Sequence, residues 1–231
     1  MSDQLYAVVP AAGIGSRMQA DRPKQYLSIL NKTILEHTLH QLLGFPAFKQ
    51  IILPIASHDE FFTGLEISKH AKITTCSGGA ERFESVLNGL TKLLAIGAKE
   101  SDWVMVHDVA RPCISQQDIE SLFEQRNEQG AILGMQVRDT MKRCDETGRI
   151  ITTVERDNLW HALTPQMAPI GLLKTCIETC IKEKHNITDE ASALEYCGHR
   201  PVMVAGHPSN IKVTRPDDLI LAQVFLQELH S

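Results

Sequence analysis

Leu5-Tyr6-Ala7-Val8-Val9-Pro10-Ala11-Ala12-Gly13-Ile14-Gly15-Ser16-Arg17 is the stretch on which the reading of this chain turns. Leu5 to Pro10 is a short apolar run, as expected of a strand buried on both faces, and small residues follow it at once. Small residues let backbone N–H groups come close to a ligand. Arg22-Pro23-Lys24-Gln25 lies just beyond, so residues 11–25 carry Arg17, Arg22 and Lys24 against the single acid Asp21. Local positive charge in a chain of net charge −5 reads as a phosphate-binding loop, although a Gly-rich turn with surface cations would use the same letters.

Two familiar glycine loops fail against this stretch. A dinucleotide fingerprint needs G-x-G-x-x-G and an acid at the end of the next strand, about 20 residues on. Here Gly13-x-Gly15 is followed by Met18, and the next apolar run ends near Ala56. A Walker A loop needs Gly-Lys-Ser or Gly-Lys-Thr, and neither occurs.

Outward from this loop, apolar runs alternate with amphipathic ones. Gln50 to Ala56, Asp102 to His107 and Ala131 to Val137 read as buried strands. Phe83, Val86, Leu87, Leu90, Leu93 and Leu94 form one helical stripe, and further helices are expected from Ile170 to about Lys184 and around Leu219 to Leu229. Such alternation predicts an α/β fold: a Rossmann-like, mostly parallel sheet flanked by helices, as one domain over residues 1–231. Arg138 to Asp157 breaks the rhythm. It is polar, with the turn letters Asp145-Glu146-Thr147-Gly148 between two strand-like runs, and reads as a protruding β-hairpin that meets a partner or substrate, or as a solvated loop.

Composition narrows the function classes. A chain of 231 residues can bury roughly 70% of its unfolded surface, so it needs no disulfide or metal to hold a core. No apolar run is long enough to span a membrane, and the Met1-Ser2-Asp3-Gln4 start does not resemble a signal peptide. The six cysteines are scattered, which suits reduced thiols and a cytoplasmic protein. Net acidity argues against coating nucleic acid.

In open α/β sheets ligands sit beyond the strands' C-terminal ends. Besides the first loop, three such places are chemically unusual. Gly78-Gly79-Ala80-Glu81-Arg82-Phe83-Glu84-Ser85 opens the strongest helix; it suits polar ligand recognition or a plain helix start with Glu81 serving the dipole. In Val106-His107-Asp108-Val109-Ala110-Arg111-Pro112, Asp108 can hold Mg2+ bridging phosphates, or pair locally with Arg111. His107 reads as a packed strand-end residue. In Asn210-Ile211-Lys212-Val213-Thr214-Arg215-Pro216-Asp217-Asp218 the tail is a helix start, and Lys212, on the strand face opposite Ile211 and Val213, can reach a phosphate. Thr188-Asp189-Glu190 reads as an N-cap with acidic first-turn residues.

Taken in order, these motifs, with Thr188-Asp-Glu-Ala-Ser192, Arg138-Asp-Thr-Met-Lys-Arg143 and Leu159-Trp-His-Ala-Leu-Thr-Pro-Gln166, resemble the 2-C-methyl-D-erythritol 4-phosphate cytidylyltransferase family over nearly the whole chain. The resemblance implies a nucleotidyltransferase that joins the CMP moiety of CTP to methylerythritol phosphate and releases pyrophosphate, in isoprenoid precursor biosynthesis. It implies that Ala11, Ala12, Gly13, Gly79 and Ser85 read the cytosine end. Arg17 and Lys24 clasp the phosphates, and Asp108, near Arg111, binds Mg2+. Lys212, Thr164 and Thr188 hold the acceptor phosphate, joined by Thr140 and Arg156 from the other subunit of a homodimer whose arm is the hairpin of residues 138–157. Two departures stand out: Val109 replaces the family's usual alanine, and Ser209 replaces a frequent acid. The alternatives are a ribitol 5-phosphate cytidylyltransferase and a non-catalytic nucleotide-binding module.

Overall fold

The computed structural model describes residues 3–13 and 22–229. Arg17 therefore lies outside the described residues. In chain order the elements are β1 (Leu5–Val8), β2 (Ser28–Ile29), β3 (Lys32–Thr33), α1 (Ile34–Leu43), β4 (Phe48–Ile55), β5 (Ile73–Ser77), α2 (Arg82–Ala95), β6 (Trp103–Val106), α3 (Gln116–Glu124), β7 (Ala131–Gln136), β8 (Met141–Cys144), β9 (Ile150–Val154), β10 (Trp160–Pro169), α4 (Ile170–Lys182), α5 (Glu190–Tyr196), β11 (Val202–Ala205) and α6 (Pro216–Leu229).

Seven strands form one sheet in the order β11-β7-β10-β6-β1-β4-β5. β1 lies inside it, parallel to β4 and β6, which is why its letters are apolar without alternation: both faces are covered. Leu5 and Ala7 face one core together with Leu35, Leu39 and Leu42 of α1 and Leu122 of α3. Tyr6 and Val8 face the other, with Leu90 and Leu93 of α2 and Leu173 and Ile177 of α4. Full burial of each such leucine contributes about 1.5–3 kcal/mol. α2 approaches β1 closely, since a Cβ on Gly89 would come within 2.6 Å of Val8 Cγ1.

The mostly parallel sheet agrees with the sequence reading, with one strand reversed. β10 runs antiparallel to both β6 and β7. The cause lies in the connection: β7 and β10 are the two legs of one long return, closed by the Val137 N–H to Leu159 carbonyl bond. Within that return β8 and β9 pair antiparallel as a separate two-stranded sheet. Its turn is held by Asp145, whose carboxylate accepts from the Thr147 and Arg149 N–H groups, and Gly148 takes φ +82. Ile150 and Ile151 are both more than 60% exposed there. The six cysteines are free thiols. No helix among the described residues is long and apolar enough to cross a membrane.

Candidate active site

A cleft of about 510 Å³ opens beyond the C-terminal ends of β1, β5 and β6, where the topology places ligands in such sheets. One wall continues β1. The Ala11 N–H donates to the Pro54 carbonyl at 2.8 Å, and the buried Gln25 side chain donates to the Ala11 carbonyl at 2.7 Å, tying the turn that carries Lys24 to the first loop. The facing wall follows β5. Gly79 N–H donates to the buried Ser85 hydroxyl at 2.9 Å, and a Cβ on Gly78 would sit 2.3 Å from that of Ala12. Glycine at position 78 is what lets the two loops touch.

At the floor stands Asp108, only 7% exposed, one residue beyond the strand-end His107. Arg82 Nε donates to its Oδ1 at 2.8 Å, and Lys212 Nζ lies 2.7 Å from its Oδ2. Arg111 Nε is 3.6 Å from Oδ2, an ion pair beyond hydrogen-bond reach. Burial pushes the Asp108 carboxyl toward neutrality, but the charges of Arg82, Lys212 and Arg111 override it and hold the group well below the usual carboxylate range. Asp108 is thus a permanent anion at working pH. Burial acts against the charge of Arg82 too, and Glu190 and Asp108 outweigh it, so that guanidinium stays protonated.

Behind the floor, buried bonds stitch distant segments together. The Thr164 hydroxyl accepts the Asp108 N–H at 3.1 Å. The Asn210 amide donates to the Thr164 carbonyl at 2.8 Å, Arg111 Nη1 donates to the Asn210 carbonyl at 2.7 Å, and the Val213 N–H donates to the Ala110 carbonyl at 2.8 Å. Lys24 Nζ reaches the Val213 carbonyl at 3.2 Å, one residue beyond Lys212.

Of the residues singled out from the sequence, Ala12, Gly13, Lys24, Gly79, Ser85, Asp108 and Lys212 line the cleft. Ala11, Arg111 and Thr164 sit behind it: Thr164 is 4% exposed with its hydroxyl engaged by Asp108 and His107. Thr188 is exposed ahead of α5, its N–H on the Ser192 hydroxyl. Thr140 and Arg156 lie exposed beside the β8–β9 hairpin, where the Arg156 guanidinium donates to the Arg138 carbonyl. Neither lines the cleft of its own chain. Residues 211–213 belong to no strand, since the Val213 N–H bonds to the loop after β6 rather than to a sheet edge. Lys212 is nevertheless 39% exposed at its side chain and reaches the cleft, while its neighbour Val213 is fully buried. Val109 turns its side chain into the core and its carbonyl to the Thr38 hydroxyl at 2.8 Å. Ser209 instead bonds His207 Nδ1 at 2.8 Å.

Two charged residues were missed. Arg82 opens α2 in phase with its buried Ser85, Val86 and Gly89, and Glu190 opens α5 in phase with Ala193 and Leu194. Glu190 does stand in the first turn of α5 after the Asp189 N-cap, as its letters suggest, but it is also 3% exposed and holds Arg82 through both oxygens, at 2.7 and 3.1 Å. A charge on the inward stripe of a helix is the signal that finds both.

As to a metal, no group of three or more His, Cys, Asp or Glu among the described residues is arranged to hold one. Magnesium needs less, one or two carboxylates with substrate phosphates completing its shell. An ionised Asp108 carboxylate facing the cleft fits that demand.

A family model described as 2-C-methyl-D-erythritol 4-phosphate cytidylyltransferase matches residues 5–228. The chain is 52% identical to the protein of that name from Photobacterium profundum, over 99% of each. It is also 52% identical to that from Tolumonas auensis, over 96% of each. Among solved structures, 2-C-methyl-D-erythritol 4-phosphate cytidylyltransferase of Francisella tularensis matches with a TM-score of 0.83 at 38% identity, over 96% of this chain and 99% of that one. A 4-diphosphocytidyl-2C-methyl-D-erythritol synthase matches with a TM-score of 0.84 at 35% identity, over 97% and 100%.

Proposed function

Since the chain belongs to the 2-C-methyl-D-erythritol 4-phosphate cytidylyltransferase family, we propose that its cleft does the family's chemistry by charge placement, without a general base. The protein is a nucleotidyltransferase: it joins CTP to 2-C-methyl-D-erythritol 4-phosphate in the isoprenoid pathway. The product is 4-diphosphocytidyl-2-C-methyl-D-erythritol, and pyrophosphate leaves.

The acceptor phosphate is already a nucleophile, carrying about −1.5 to −2 charge at pH 7. What the protein must supply is in-line positioning and neutralisation of the phosphates. The observation that carries this reading is the meeting of Lys24, Lys212 and the ionised Asp108 in one cleft walled by Ala12, Gly13 and Gly79. Ala12, Gly13, Gly79 and Ser85 approach the base, with Ala11 fixing the loop behind them. Lys24, with Arg17, neutralises the triphosphate and the departing pyrophosphate. Lys212 and Thr188 serve the acceptor phosphate, with Thr164 and Arg111 holding the floor from behind.

Mg2+ completes the reading. Asp108 would hold it, and when bound it would neutralise phosphate charge. Since both Asp108 oxygens already face protein cations, Lys212 is the one that yields.

Thr140 and Arg156 act in the partner's cleft of a homodimer, in the cytoplasm. The exposed Ile150 and Ile151 on the hairpin support the dimer, and six free thiols suit a reducing compartment.

Pyrophosphate release with CTP and Mg2+ tests the assignment, comparing methylerythritol 4-phosphate, ribitol 5-phosphate and no acceptor. Preference for the first upholds it. Preference for ribitol 5-phosphate moves the same mechanism to another acceptor, and CTP binding without turnover makes the protein a binding module.

A further inference from the structure

Arg82 has all three guanidinium nitrogens committed. Nη1 and Nη2 donate to Glu190 Oε1 and Oε2 at 2.7 and 3.1 Å, and Nε donates to Asp108 Oδ1 at 2.8 Å. One planar cation thus joins the first residue of α2, the first residue of α5 and the loop after β6. Such fork-to-fork pairs fix direction as well as charge. Lys212 is held differently, through one contact of 2.7 Å on Asp108 Oδ2, at the end of a flexible stem and 39% exposed. The two oxygens of Asp108 are therefore unequal: Oδ1 is hydrogen-bonded to a locked partner, whereas Oδ2 has the mobile Lys212 at 2.7 Å and Arg111 Nε only at the longer 3.6 Å.

The Glu190 carboxylate is given over to this network. It is 3% exposed, does not line the cleft, and spends both oxygens on Arg82. Without it, the Arg82 side chain, which does line the cleft, would lose two of its three anchors and no longer hold Asp108 Oδ1 in one direction.

We propose that Glu190 is a positioning residue for the nucleotide site. It locks Arg82 onto Asp108 Oδ1, so that Arg82 is a spacer rather than a phosphate clasp and only Oδ2 is offered to the incoming nucleotide. Lys212, not Arg82, is then the cation that moves when substrate enters.

The inference rests on the cytidylyltransferase reading for the identity of the nucleotide. The test is a double-mutant cycle on CTP affinity, measured by calorimetry with Mg2+ on wild type, Glu190→Gln, Arg82→Lys and the double variant, together with the KM and kcat of each. Loss of the lock weakens CTP binding by about tenfold in each single variant, and the double variant is no weaker than the worse single one, because Glu190 acts through Arg82. KM for CTP rises with it. Glu190→Asp keeps the charge and withdraws the reach; it gives an intermediate loss and serves as the conservative variant should Glu190→Gln not fold. Losses that multiply in the double variant, or a lowered melting temperature with CTP affinity unchanged, overturn the proposal. Wild-type protein that binds CTP without turning over removes the functional reading while the affinity ratios still decide the role of Glu190. Wild-type protein that does not bind CTP overturns both.

Discussion

The Thr164 hydroxyl lies 3.0 Å from Nδ1 of His107, and the same oxygen accepts the Asp108 N–H at 3.1 Å. The oxygen's proton is thereby directed at His107, whose Nδ1 accepts it, and His107 Nε2–H donates to the Arg111 carbonyl at 3.1 Å. The network is complete with a neutral imidazole. Burial lowers the His107 pKa to about 4. Between that value and the ordinary value of about 6.5 the unfolded chain binds the proton that the folded one refuses, so stability falls as pH falls through this window. From pH 7 to pH 5 the loss should be about 2 kcal/mol, or roughly 4–8 °C in melting temperature for a domain of this size. His107→Gln has no proton to gain; it should be less stable at pH 7 but lose less on acidification. Equal slopes in the two proteins would sink the argument.

Thr164→Val should keep the shape and strand two buried partners, the Asp108 N–H and His107 Nδ1. An unmet buried group costs about 1–3 kcal/mol. Thermal denaturation checks the loss, and turnover per folded molecule should fall with it, since the same hydroxyl sets the backbone of Asp108. A melting temperature equal to wild type would show that the hydroxyl carries no such strain.

Lys24→Ala should lower kcat by about 10²-fold or more, the scale on which a preorganised transition-state cation acts. Arg17→Ala should do the same. Steady-state kinetics with saturating CTP decide it: unchanged kcat with raised KM would assign these cations to ground-state binding.

For the hairpin, Lys212→Ala and Arg156→Ala proteins should each be inactive and regain activity when their subunits are mixed, because one hybrid cleft then holds both cations. Heterodimers demonstrated by differential tagging, yet without activity, would refute sharing between subunits.

Gly78→Ala would press a new Cβ to 2.3 Å from that of Ala12, so the two nucleotide-facing loops must part. KM for CTP should rise several-fold while kcat at saturation changes less. Wild-type KM would mean the loops separate freely.

The parts legible in the sequence were those whose cause is local. The unbroken apolar letters of Leu5 to Val8 announce an inner parallel strand, and the strand-end position of Asp108 follows from the apolar run before it. The reversed β10 was not legible, because its direction is set by the return across residues 137–159 rather than by its own letters. Glu190 was passed over as a helix-start acid because its partner is 108 residues away in the chain; only its phase on α5 betrays it. Thr164 was identified, but its letters carry no sign that it faces the back of Asp108 rather than the open cleft.

The stitching between the loop after β6 and residues 210–213 has a consequence for synthesis. The ribosome delivers the carboxylate long before the segment that brings Lys212 and the Asn210 carbonyl. Until that segment emerges, Arg111 lacks its acceptor and Asp108 one of its counter-charges. The carboxylate then has Arg82 and Arg111 beside it but not Lys212, so the cation on its Oδ2 is the last of the cleft's charges to be made. A chain broken off before residue 210 therefore keeps most of the cleft's lining and lacks Lys212 and Thr214.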